Sequence, residues 1–130
     1  MKQILLTLLF IYTATAVAQK KDTLPENQIY SATGLDIKPN FPEGNKQYQA
    51  YVEENFKKSG LPLKNSAKVH TTFVIEKNGS LSDIKILNAP NPSIAEKLIE
   101  IMKNSPRWNP GKMSSKTVRV HYSIPLLLVK

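Results

Sequence analysis

The Asn78-Gly79 pair constrains this chain more than any other feature. It lies between two runs with strand character. From Lys68 to Glu76 the residues alternate: Val69, Thr71, Phe73 and Ile75 fall on one face, and His70, Thr72, Val74 and Glu76 on the other. Leu81–Leu87 is the second run. An Asn-Gly pair in that position predicts a tight hairpin with a type I′ turn, because both central residues of that turn need positive φ. Asn78-Gly79-Ser80 also matches a glycosylation acceptor, but the turn explains the same residues without a modification. A hairpin with one apolar face needs a second layer to cover it.

Two helices supply that layer. Tyr48, Tyr51, Val52 and Phe56 recur at helical spacing, and the helix they predict runs from Asn45 to the Lys57-Lys58-Ser59-Gly60 stop signal, with Pro62 just beyond. Ile94, Leu98, Ile101 and Met102 form a second apolar stripe. Its start fits either a Ser93–Glu96 capping box or Asn91 as the cap with Pro92 at the first helical position. Pro106 ends it, and Ser105–Gly111 reads as a rigid loop.

A last strand follows over Lys116–Val129. Val118, Val120, Tyr122 and Ile124 alternate there with Thr117, Arg119, His121 and Ser123. The expected fold is α+β: a three-stranded antiparallel sheet with two helices packed on one face. The last strand is expected beside Lys68–Glu76 and antiparallel to it. Ile29–Lys38 has weaker β character and is compatible with an extra N-terminal strand.

Composition bears on function class. The 130 residues suit one domain. The chain has 18 Lys+Arg, 10 Asp+Glu and no cysteine, with a net charge of +8. Without cysteine there is no disulfide framework, no thiolate metal site and no cysteine nucleophile. Lys2, the apolar run Ile4–Tyr12 and the Ala16-Val17-Ala18 end have the three parts of a secretory signal peptide. Residues 1–18 are therefore expected to be removed, 19–28 to form a disordered leader, and 29–130 to form the domain. Export to the periplasm, the cell envelope or the medium argues against nucleic acid as a partner. His70 and His121 share the polar parity of neighbouring strands, but no carboxylate completes a metal site. No catalytic constellation, cofactor motif or phosphate loop is present, so the chain reads as a non-enzyme with no cofactor. Trp108, between two prolines, reads as a core plug.

Four segments resemble the C-terminal domain of TonB-family proteins, in the stand-alone form common among Bacteroidetes. Lys38–Gly44 is similar to the family's P-x-F-P-G-G segment, with Glu43 in place of its first glycine. Phe73–Ile84 is similar to its glycine hairpin, Ser105–Lys112 to its P-x-W-x-P-G loop, and Val118–Leu126 to its closing strand with the Ile-Pro pair. The resemblance implies binding by strand addition: an extended peptide, such as the N-terminal segment of an outer-membrane transporter, pairs with the edge of the last strand. From the residues alone, Lys116–Ile124 also reads as an edge, since Pro125 follows it. The candidate partner-binding residues are Lys116, Thr117, Val118, Arg119, Val120, His121, Tyr122 and Ser123. Three other readings stand beside this one. The edge could pair with a second copy in a homodimer. The chain could be a membrane-anchored, shortened energy-transduction partner. Or the acid-free stretch after Ile101, with Lys103, Arg107, Lys112, Lys116, Arg119 and Lys130, could bind acidic wall or lipid polymer.

Overall fold

The computed structural model describes residues 25–130; the expected signal peptide and residues 19–24 of the leader lie outside the described residues. The elements run β1 (Ile29–Ser31), α1 (Asn45–Lys58), β2 (Ala67–Ile75), β3 (Leu81–Leu87), α2 (Pro92–Lys103), β4 (Gly111–Met113) and β5 (Lys116–Leu128). The sheet order is β1-β5-β2-β3, with β4 also paired to β5. β2 and β5 form the backbone of the sheet, antiparallel from Ala67 opposite Leu128 to Ile75 opposite Val120.

The expected α+β architecture is present, and two strands extend it. β1 is the extra N-terminal strand, and it runs parallel to β5. β4 was not anticipated. It pairs antiparallel with the start of β5 through a two-residue turn, Ser114-Ser115, with φ of 50° and 63°. Two positive φ values in a two-residue loop are the mark of a type I′ turn. Serine rarely signals that conformation, so nothing in the sequence marks the turn. The Asp36 carboxylate supports it, accepting from the Ser114 N–H at 2.7 Å.

The hairpin at Asn78-Gly79 forms, but not as type I′. Only Gly79, at φ 84°, has a positive φ there. The Gly79 N–H donates to the Glu76 carbonyl (2.8 Å), and the Glu76 N–H donates to that of Ser80 (2.8 Å). This is the three-residue loop in which a turn ends on a glycine bulge. A tertiary contact meets the turn there. The Trp108 N–H donates to the Gly79 carbonyl at 2.9 Å, and a Cβ on Gly79 would collide with the Trp108 carbonyl oxygen. Gly79 is thus required twice, for its φ and for the close approach of a second backbone.

That approach seats Trp108 in the core. The indole is 2% exposed and packs among Tyr48 (4.9 Å between ring centres), Phe41 (5.5 Å), Phe73 (5.5 Å) and Tyr122 (5.9 Å). The two proline-rich segments clasp each other across the top. Asn40 and Asn109 exchange backbone hydrogen bonds of 3.1 and 2.8 Å, and Ile37 and Lys112 do the same at 3.1 and 2.9 Å. Both helices lie on the face of Val69, Thr71, Phe73 and Ile75. α1 buries Tyr48, Val52 and Phe56; α2 buries Ile94, Leu98, Ile101 and Met102. Asn91 is the cap of α2, accepting from the Ile94 N–H at 3.0 Å, with Pro92 at the first position.

Candidate functional site

The eight candidate residues, Lys116 to Ser123, all lie on β5, but β5 is not a free edge strand. Lys116, Thr117 and Val118 pair with β4. Arg119, Val120 and His121 pair with β1. The sequence reading treats β5 as terminal in the sheet because it cannot register the three-residue strands that flank it. On the outer side, among the described residues, β1 is the strand that pairs with β5, and of the eight Tyr122 and Ser123 lie beyond its end.

Beyond them, among the described residues, the outer side stays uncovered until Leu127, where α1 intervenes. The Gln49 amide Nε2 donates to the Leu127 carbonyl at 2.8 Å, and the Leu127 N–H donates to Gln49 Oε1 at 3.2 Å. A side-chain amide here makes both bonds that a neighbouring strand would make. The outer side of β5 is thus occupied in order by β1, an open gap over Tyr122–Leu126, and Gln49, while β4 pairs with the start of β5 on the side that β2 takes further along. Backbone groups alternate in direction along a strand, so residues two apart face the same way. The Leu127 pairing with Gln49 therefore puts the Ser123 N–H and C=O and the Pro125 C=O on the open side. A shallow, mostly apolar hollow beside the end of β5 is lined by Gln49, Glu53, Lys68, Pro125, Leu127 and Val129.

Arg119 is already engaged. Its Nε and Nη2 donate to the two Glu76 carboxylate oxygens at 2.7 and 3.0 Å, and its Nη1 donates to the Asn27 carbonyl at 3.1 Å. The Ser82 hydroxyl donates to Glu76 Oε1 at 2.6 Å. The side chains of Arg119 and Glu76 are 26% and 25% exposed. Hydrogen bonding from Arg119, aided by Ser82, holds the Glu76 carboxyl below the usual glutamate range against the opposing effect of burial. Sequence parity places Glu76 and Arg119 on the same sheet face, but only the β2–β5 register brings them together. His70 stands opposite Pro125 and His121 opposite Val74, so the two histidines occupy separate rungs. Arg107 donates to the Asn78 carbonyl at 3.2 Å, which ties the Trp108 loop to the hairpin turn.

A family model described as the Gram-negative bacterial TonB protein C-terminal matches residues 62–127, just over half of the chain. The chain belongs to the TonB C-terminal domain family. No curated protein and no solved structure matches it. The matched stretch takes in β2, β3, α2, β4 and nearly all of β5, and so every residue of the outer-side gap. TonB C-terminal domains are non-enzymatic protein-interaction modules of the cell envelope, and this domain is of that kind. β1 and α1 precede the matched stretch, yet they cover part of the same strand.

Proposed function

We propose that this TonB C-terminal domain captures an extended peptide segment of an envelope protein, such as the N-terminal segment of an outer-membrane transporter, as an added strand on the outer side of β5. The single observation that carries this reading is the gap over Tyr122–Leu126, between β1 and the Gln49 amide. Ser123 presents a donor and an acceptor there, and Pro125 an acceptor, in the geometry that strand addition uses. The reading places the protein, once exported, in the periplasm or at the envelope surface.

The test is Ser123→Pro. The substitution removes the outward N–H and leaves the ladder to β2 untouched, because Ser123 faces away from it. Val120→Pro would not serve, since Val120 is fully buried and pairs with Ile75. Binding of fluorescently labelled N-terminal transporter peptides is read by anisotropy, with circular dichroism as the folding control. Wild type should bind and Ser123→Pro should lose at least tenfold in affinity at an unchanged spectrum. Equal binding by both proteins overturns the edge reading. Binding that collapses with added salt points instead to acidic polymer, because backbone pairing is only weakly screened. Self-association that Ser123→Pro abolishes would assign the gap to a second copy.

A further inference from the structure

Resting on the reading just given, we infer that β1 is a built-in strap that occupies the binding edge of β5, so that a peptide strand longer than the gap is captured only when β1 lifts away. The gap over Tyr122–Leu126 is short for strand addition, and the backbone beside it is taken. β1 pairs in parallel with Arg119, Val120 and His121 through Ile29, Tyr30 and Ser31. After Ser31 the chain turns away through Gly34, at φ 84°, so β1 does not continue along the gap. An added strand that extends from Ser123 toward Arg119 meets β1 on the same hydrogen-bonding groups. The two are mutually exclusive by geometry.

β1 is also suited to release. It has three residues, against nine in the β2–β5 ladder. Ile29 is 44% exposed and Ser31 is exposed, so little apolar surface holds the strap down. Its further tie is the Asn27 carbonyl, which accepts from Arg119 Nη1 at 3.1 Å. Short elements with few buried apolar contacts open at low free-energy cost, while core strands open only with the whole fold. Lifting β1 leaves the core intact, since the hydrophobic cluster and the residues packed against it include no β1 residue. Arg119 also keeps its bonds to Glu76. The edge that β1 uncovers is therefore pre-shaped.

The chain has no cysteine, so an introduced pair is unambiguous. Ser31 and His121 are partners across the β1–β5 ladder and are both exposed. The double variant Ser31→Cys with His121→Cys locks the strap when oxidised and frees it when reduced. The full chain is titrated with labelled N-terminal transporter peptides in both states. A second variant, Tyr30→Pro, weakens β1 without adding a crosslink. Affinity for a peptide that needs the covered edge scales with the fraction of molecules whose strap is open. The oxidised protein should bind at least tenfold more weakly than the reduced protein, and Tyr30→Pro should bind more tightly than wild type. Equal binding in oxidised and reduced states, with Tyr30→Pro like wild type, overturns the strap and leaves peptide capture standing. Absence of binding in every state, with folding intact, overturns the peptide-capture reading itself, and the strap falls with it.

Discussion

Glu43 occupies a backbone position built for glycine. Phe41-Pro42-Glu43-Gly44 is a turn closed by the Gly44 N–H donating to the Phe41 carbonyl at 2.8 Å. Proline sits at its second position, and Glu43 at the third has φ 69°. That combination is a type II turn, whose third residue is normally glycine. Glu43 therefore carries a left-handed cost at the point where the chain enters α1. Glu43→Gly should raise stability by about 0.5–1 kcal/mol, the relief of that cost less the extra freedom of glycine in the unfolded chain. The urea midpoint should rise at unchanged slope. The sequence shows this substitution plainly as a departure from the family pattern. At Gly79 the need for glycine was legible, but the turn type was not, because an Asn-Gly pair suits both a two-residue loop and a three-residue loop with a glycine bulge.

Elements were legible where periodicity and punctuation agree. α1 begins and ends where the Tyr48–Phe56 stripe and the Lys-Lys-Ser-Gly stop place it. α2 takes Asn91 rather than Ser93 as its cap, since Pro92 is already shaped for the first helical position. β1 and β4 were weakly legible or invisible, because three residues carry no period and a Ser-Ser turn carries no signature. The omission of β1 made β5 read as an edge. Between elements, the Glu76–Arg119 pair joins β2 to β5 and, through Asn27, to the start of β1. Its effect on stability depends on pH with a definite sign. Glu76 has a lower pKa folded than unfolded, so its contribution is complete above the unfolded value of about 4.3 and is lost as the pH falls through the folded value. Glu76→Gln should therefore be less stable than wild type at neutral pH. The difference should close under acid, as read by urea midpoints at pH 7 and pH 3. A constant gap at both values would remove the carboxylate from the account.

For the whole molecule, the domain is larger than its recognised motif. The family match begins at residue 62, yet the core also uses Phe41, Tyr48, Val52 and Phe56. A fragment cut at residue 62 exposes Trp108, Phe73 and the apolar face of α2. It should show no cooperative unfolding transition by urea, while residues 25–130 should show one. The open gap on β5 depends on the same N-terminal part, since Gln49 from α1 and β1 bound it on either side. The sequence revealed the layers but not this boundary, because a side-chain amide standing in for a strand leaves no pattern to read.

The order of the strands has one more consequence. β5 comes after β1, β2 and β4, and it is the partner that all three share. As the ribosome delivers the chain from its N-terminus, β2 and β3 can meet early. The rest of the sheet waits until β5 emerges. Until then the nascent chain cannot complete its core, so the last thirteen-residue strand closes the whole sheet in one step.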